Sequence, residues 1–301
     1  MLNNPIKVAV CLAAFNGEQH IAEQLNSILN QVEVDVTVFV SVDISSDSTL
    51  ALVEAYGKKD ARVVLLSYGE RYGSAARNFF RLIEEVNFNA FDYVSLADQD
   101  DIWLSKKLSS AVSVMTTNKA DAYSSNVQAF WPDGREKIIN KAQPQQQWDY
   151  VFESAGPGCT FVINKNLALA LQAFLLKNKI QTYAVALHDW FIYAYARYNN
   201  YQWVISEQVH MRYRQHSHNV VGANVGVRAK LTRWKKLREG WLHTQALIIA
   251  NIVGYTQLLP IQKMLNMSLV NTLWLVFNVR KLRRRFLDCM ALAIYFLVAF
   301  K

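Results

Sequence analysis

The first hundred residues alternate between β-branched apolar runs and helical spacings. That alternation limits the chain to folds built on a parallel-rich sheet. Residues 7–14 are rich in Val, Ala and Leu and read as a buried strand, and Phe15-Asn16-Gly17-Glu18 follows as a turn. Across residues 20–29, Ile21, Leu25, Ile28 and Leu29 recur at a helical interval. Residues 35–42 (DVTVFVSV) are a second strand, 43–49 a polar turn and 50–56 a helix. A third strand at 62–67 leads through a glycine-bearing loop, 68–74, into a helix at 75–85. The fourth strand, 93–97, runs into Asp98-Gln99-Asp100-Asp101. In such sheets ligands bind beyond the carboxyl ends of the strands. The loops after the first, second and fourth strands are therefore the candidate site loops.

The middle of the chain is less regular. Strands are expected at 122–131, 159–163 and 209–214, and helices at 167–176 and 188–198. Pro132-Asp133-Gly134 reads as a turn and 143–147 as a Gln-rich loop. From Arg228 onward only helical patterns occur.

Four polar clusters could carry chemistry. Asp98, Asp100 and Asp101 stand together at a strand end, where like charges need compensation. Carboxylate oxygens there suit Mg²⁺ or Mn²⁺ carrying substrate phosphates. On an extended segment Asp98 and Asp100 share a face while Gln99 points away. The alternative is a solvated acidic turn whose Asp101 caps a helix starting near Trp103-Leu104. Asp43 and Asp47, among Ser45, Ser46, Ser48 and Thr49, can bind a base or ribose, or can cap the following helix. Asp189, in His188-Asp189-Trp190, opens an apolar helix. Beside Trp190 and Phe191 its carboxylate would be desolvated and more basic, or it answers the helix dipole alone. Tyr213-Arg214-Gln215-His216 offers a metal-ligating imidazole and a phosphate-neutralising guanidinium, or is a polar loop. Gly73-Ser74-Ala75-Ala76-Arg77-Asn78 could hold an anion at a helix start. It lacks the G-x-x-x-x-G-K-[ST] pattern, and no G-x-G-x-x-G follows the first strand, which argues against P-loop and Rossmann nucleotide enzymes.

Taken in order, VAVCLAAFNGEQHIAEQLNSILNQ, VSVDISSDST, YGSAARNFFRLIE, LADQDDIWLSKKL, ALHDWFIYAYA and YRQHSHNVVGA resemble the family-2 glycosyltransferases. The likeness is to the bacterial subgroup of rhamnosyltransferases in surface-polysaccharide synthesis and covers roughly residues 6–224. It implies an α/β GT-A fold with a mostly parallel mixed sheet over residues 1–224, followed by a helical basic region, 225–301. It implies metal-dependent, inverting transfer from a nucleotide sugar, most of all dTDP-rhamnose, to a lipid-linked glycan acceptor. Carried over residue by residue, Asp98 and Asp100 become the nucleotide-sugar and metal carboxylates. Asp43 becomes a base or ribose contact, Asp189 the general base and His216 a metal or diphosphate contact. The backbone at Ala14 and Phe15 would line the nucleotide pocket. The sequence departs from the family at Val42 and Ile44, where an Asp and a Gly are usual. That departure raises a second reading, a non-catalytic nucleotide-sugar binder or scaffold of an assembly complex.

Charge is uneven. Of the net +8, residues 201–301 contribute 15 Lys and Arg against 3 Asp and Glu, while residues 1–200 hold 17 against 21. Basic runs at 228–238 and at Arg280, Lys281, Arg283, Arg284 and Arg285 flank apolar stretches, and Leu231, Trp234, Leu237 and Trp241 share one helical face. This reads as an interfacial tail on an anionic membrane, placing the protein in the cytoplasm on the inner face of the bacterial cell membrane, or else as a helix packed on the catalytic domain with a solvated basic face. No nucleic-acid-binding module accompanies the charge. The terminal apolar run, 289–300, is too short at ~1.5 Å per residue to cross a ~30 Å hydrocarbon core. Met1–Pro5 leads straight into a strand, so no secretory leader is expected. Cys11, Cys159 and Cys289 lie too far apart to suggest a zinc or disulfide framework, and a reducing compartment is expected.

Overall fold

The computed structural model describes residues 5–215 and 240–299. Four parallel strands form its first half: β1 (Ile6–Ala14), β2 (Val34–Val42), β3 (Val63–Leu65) and β4 (Tyr93–Ala97). Helices α1 (Ile21–Leu29), α2 (Thr49–Lys59) and α3 (Ala75–Glu85) make the crossovers. The Ser74 hydroxyl caps α3 by accepting from the Arg77 N–H at 3.3 Å. After β4 come β5 (Ile102–Trp103), α4 (Lys107–Asn118), β6 (Ala122–Phe130), β7 (Glu136–Ile139) and β8 (Val162–Asn164). Then follow α5 (Lys165–Lys177), α6 (Lys179–Thr182), α7 (His188–Tyr198) and β9 (Trp203–Arg214). The sheet order is β3-β2-β1-β4-β8-β6-β9-β5, with β7 paired to β6. It is a mixed α/β sheet whose first four strands are parallel, as the strand–helix alternation requires.

β1 shows why the sheet is covered on both faces. Val8, Val10 and Leu12 point to one side, into a core with Ile21, Leu25 and Val38. Ala9 and Cys11 point to the other, into a core with Phe79, Ile83, Phe161 and Phe191. Buried on two faces, the strand reads as a continuous apolar run. The C-terminal helices α8 (Trp241–Val253), α9 (Leu259–Leu265), α10 (Leu269–Phe277), α11 (Val279–Leu282) and α12 (Phe286–Ala299) join the second core through Ala246, Ile249, Tyr255, Leu275 and Phe296. Fully burying one Leu, Ile or Phe contributes about 1.5–3 kcal/mol, so this contact binds the helical region firmly to the sheet. The expected boundary at 224/225 lies outside the described residues.

Local departures from the sequence reading have identifiable causes. Ile102 and Trp103 form a short strand on β9 rather than a helix start, because the Leu104 N–H reaches the His210 carbonyl at 2.9 Å. The helix begins only at Lys107, and Asp101 does not cap it. The expected strand at 159–163 opens instead as a 3-10 turn, Gly158–Thr160. β7 returns on β6 through a turn in which Gly134 takes a φ of 82°, closed by the Trp131 N–H on the Arg135 carbonyl at 3.0 Å. Among the described residues, no helix is long and apolar enough to cross a membrane. The three cysteines are buried and free.

Candidate active site

The carboxyl ends of β1, β2 and β4 meet at one edge of the sheet, and their loops are stitched together by side chains. Gln99 binds the Phe15 backbone twice: its Oε1 accepts from the Phe15 N–H at 2.7 Å and its Nε2 donates to the Phe15 carbonyl at 2.8 Å. A Cβ on Gly17 would lie 2.3 Å from that Oε1, so the turn after β1 admits only glycine while Gln99 holds this place. The Ala14 carbonyl accepts from the Asp43 N–H at 2.8 Å. The Ala14 and Phe15 backbone therefore holds the loops in register, and the half-exposed Phe15 ring is what faces outward.

Asp43 is buried at the end of β2. Its carboxylate accepts from the backbone N–H groups of Ile44 at 2.8 Å, Tyr72 at 2.9 Å and Gly73 at 2.7 Å. It thus ties the 68–74 loop to β2. Asp47 accepts from Thr49 N–H and Glu18 N–H, both at 3.0 Å, joining the start of α2 to the first turn. Ile44 is not among the residues with positive φ, so the missing family glycine leaves no backbone strain at this turn.

Beyond β4 the acidic run turns inward. Ligand-capable atoms of Asp98, Asp101 and Cys159 lie within 4.8 Å of one another. Asp100 is buried beside them. Burial, then the charge of Asp100, pushes Asp98 up to about 7. Burial, then Asp100 and Asp98, raises Asp101 well above the usual carboxylate range. The Cys159 thiol is also raised, by burial and then by Asp101 and Asp98, and stays neutral. One oxygen of Asp101 accepts from the Arg214 N–H at 3.1 Å; the other is buried without a hydrogen bond from the described residues. Arg214 also donates from Nε to the Asp100 carbonyl at 2.7 Å and pairs with Glu23, which fixes the end of β9 against the acidic run.

Behind the cluster, the Lys107 ammonium lies 3.5 Å above the Trp103 ring centre and 3.5 Å from Ser95 Oγ. Burial draws it down to about 7, against the pull of Cys159 and Asp101. Three hard carboxylates with one weakly partnered buried oxygen form a donor set that fits a divalent oxygen-seeking cation.

Asp189 faces this cluster from the first turn of α7. Its Oδ1 accepts from the Trp190 N–H at 2.7 Å. Burial raises it to about 6, opposed by the Trp190 bond, the Lys141 charge and the Ser154 hydroxyl. Asp98 is raised in part by the Asp189 charge, so the two carboxylates lie near one another. His188 stacks on Phe79 with ring centres 4.0 Å apart, and burial holds it neutral, at about 3. A Cβ on Gly158 would stand 2.3 Å from His188 Nε2, which explains the glycine there. The structure thus brings together Asp98, Asp100 and Asp189, with Asp43, Ala14 and Phe15 framing the neighbouring loops. His216 lies outside the described residues. Cys159, Lys107, Lys141 and Ser154 were not expected. Lys107 carried a faint signal in its place just after DQDDIW; Cys159 was legible only as the start of an expected strand, and Lys141 and Ser154 fall on segments where periodicity is silent.

The comparisons with known proteins fall on this same framework. The model of glycosyl transferase family 2 matches residues 9–171, from β1 through the acidic run to α5. The chain belongs to glycosyltransferase family 2. This glycosyltransferase is 40% identical over 278 residues to the dTDP-rhamnosyl transferase RfbG of Shigella flexneri, covering 92% of this chain and 96% of that one. It is 27% identical over 164 residues to the UDP-Glc:alpha-D-GlcNAc-diphosphoundecaprenol beta-1,3-glucosyltransferase WfgD of Escherichia coli, covering 53% of this chain and 61% of that one. Among solved structures, the mannosyltransferase PcManGT from Pyrobaculum calidifontis, in complex with GDP-Man and Mn²⁺, superposes with a TM-score of 0.51 at 14% identity, covering 97% of this chain and 85% of that one. The family-2 enzyme therefore has the GT-A fold and transfers a sugar from a nucleotide donor in polysaccharide synthesis. Enzymes of this kind commonly use a divalent metal.

Proposed function

We propose that this enzyme is an inverting rhamnosyltransferase that moves rhamnose from dTDP-rhamnose onto a lipid-linked polysaccharide precursor at the inner face of the cell membrane. The observation that carries the reading is that Asp189, in the first turn of α7, lies close enough to the acidic run after β4 for its charge to act on Asp98. The likeness to RfbG along almost the whole chain supports the donor, and the name of WfgD supports an acceptor on a lipid diphosphate.

Asp189 accepts the proton of the acceptor hydroxyl as its oxygen attacks the anomeric carbon. The bond from that carbon to the donor diphosphate breaks on the opposite face, which inverts the centre. One carboxylate by the acceptor suffices, unlike the paired carboxylates of a retaining glycosidase. Burial raises the basicity of Asp189 for this step, while the Trp190 N–H holds its orientation. The exposed Phe15 ring offers the thymine a face, and Asp43 supports that pocket by fixing the 68–74 loop. Mg²⁺ or Mn²⁺ held by Asp98, Asp100 and Asp101 would supply positive charge against the departing diphosphate. His216, two residues beyond Arg214 in the YRQH segment, is a further candidate contact to that metal or diphosphate.

A panel of nucleotide sugars tests the reading, assayed with and without chelator. The expected result is transfer from dTDP-rhamnose alone, lost in EDTA, restored by Mg²⁺ or Mn²⁺ and absent in Asp100→Ala. Transfer from another donor, or full Asp100→Ala activity in EDTA, would contradict it.

A further inference from the structure

The C-terminal helices turn an apolar face outward. On α10, Leu269, Val270, Leu273 and Phe277 recur at helical spacing, with Val270 73% and Phe277 81% exposed. On α12, which packs beside α10, Leu287, Met290, Ile294 and Leu297 do the same, with Leu287 62% exposed. The opposite sides of both helices, through Leu275, Leu292 and Phe296, are buried in the core. A contiguous surface of this kind is uncommon on a free monomer and marks a docking face.

Charge narrows what docks there. Arg280, Lys281 and Arg285 are exposed between the two helices, and the Arg280 guanidinium lies 5.8 Å from the exposed Phe286 ring. Asp288 is the sole acid between residues 240 and 299. Apolar side chains rimmed by cations match a bilayer surface with anionic headgroups. The basic run does not act as one block, however. Arg284 is buried, with Nη1 3.0 Å from Asp149 Oδ2, and Arg283 sits 3.8 Å from Glu153 Oε2. Those two fasten the helices to the sheet domain. Trp241 likewise packs against Trp190, with ring centres 6.4 Å apart, rather than outward.

The fastening reaches the catalytic edge. The Arg284 N–H donates to Glu153 Oε1 at 2.7 Å, and its guanidinium donates to the carbonyl of Ser154, a residue near enough to Asp189 to act on its carboxylate. We infer that α10 and α12 form a foot seated in the headgroup layer of an anionic membrane, rigidly coupled to the segment beside Asp189. This deepens the proposed function, on which its purpose rests: the foot would present the cleft to an acceptor hydroxyl carried by a lipid.

The full chain is sedimented with vesicles of phosphatidylglycerol and phosphatidylethanolamine, and with neutral phosphatidylcholine vesicles. Wild type should pellet with both and more with the anionic set. Phe277→Asp with Leu287→Asp should lower partition at least about tenfold on both, with thermal unfolding unchanged because both side chains face out. Arg280→Gln, Lys281→Gln and Arg285→Gln together should lower it roughly a hundredfold on anionic vesicles only, since each cation there is worth nearly a decade. Wild type left in the supernatant, or a double-Asp variant that pellets like wild type, would overturn the foot. So would a solution dimer that Phe277→Asp splits while vesicle partition is unchanged; that face would then join two copies. Transfer to a water-soluble acceptor analogue, run without vesicles, should be equal in all these variants. Its absence in wild type would strike the proposed activity and leave the vesicle result standing.

Discussion

Asp189 is a partly buried residue whose proposed task requires its carboxylate ionised. Its folded value of about 6 lies above the ordinary 3.8, because burial penalises the charged form. The native state therefore holds this proton more tightly than the unfolded chain. The group's contribution to stability is unpenalised below about pH 4 and declines as pH rises toward 6. Activity runs the other way, since only the carboxylate accepts a proton. The acid limb of kcat/KM should fall near pH 6, and Asp189→Asn should melt at a higher temperature than wild type at neutral pH. A limb near 4, or a lower melting temperature, would place the residue in a wetter setting than the structure gives it. Asp98, Asp100 and Asp189 were legible as candidates in the sequence because each stands at the end of a strongly patterned element. Cys159 and Lys141 were not, since no local rule brings residues some sixty and forty positions from the acidic run to its side. Asp43 was legible as a site-loop residue, yet its three backbone partners emerge only when the 68–74 loop folds over it.

At the scale of elements, α7 and the α11–α12 junction (Val279–Leu282 to Phe286) are joined by a buried ionic network. Asp149 is fully buried and accepts from Tyr193 Oη at 3.0 Å, Arg197 Nη1 at 3.2 Å and Arg284 Nη1 at 3.0 Å. Removing one partner of such a pair leaves an uncompensated buried charge, which costs about 3–5 kcal/mol. Arg284→Met should therefore lower the denaturation midpoint strongly, while neighbouring Arg285→Gln should leave it within about 0.5 kcal/mol, as for an exposed side chain. Equal effects would mean that the two arginines have the same surroundings. The sequence offers five clustered cations and no means of telling the inward pair from the outward three. Their partners, Asp149 and Glu153, sit in a segment without helical or strand period. The same limit explains β5: Ile102 and Trp103 carry a helix-compatible pattern, and the long-range pairing with β9 overrides it.

For the whole molecule, the parallel half of the sheet was readable almost residue by residue, because strands covered on both faces leave continuous apolar runs. The mixed half was readable only in pieces. Its order, β8-β6-β9-β5, depends on pairings between segments up to about a hundred residues apart. The fold brings Asp189 on α7 near the acidic run after β4, and the proposed function makes the first the proton acceptor and the second the metal site. Single-turnover transfer by Asp189→Asn tests that division of labour most directly. With wild type and variant loaded with dTDP-rhamnose and Mn²⁺, the variant should bind donor with unchanged affinity and transfer at least ~10²-fold more slowly. Donor affinity falling in step with the rate, or transfer at the wild-type rate, would show that the base lies elsewhere.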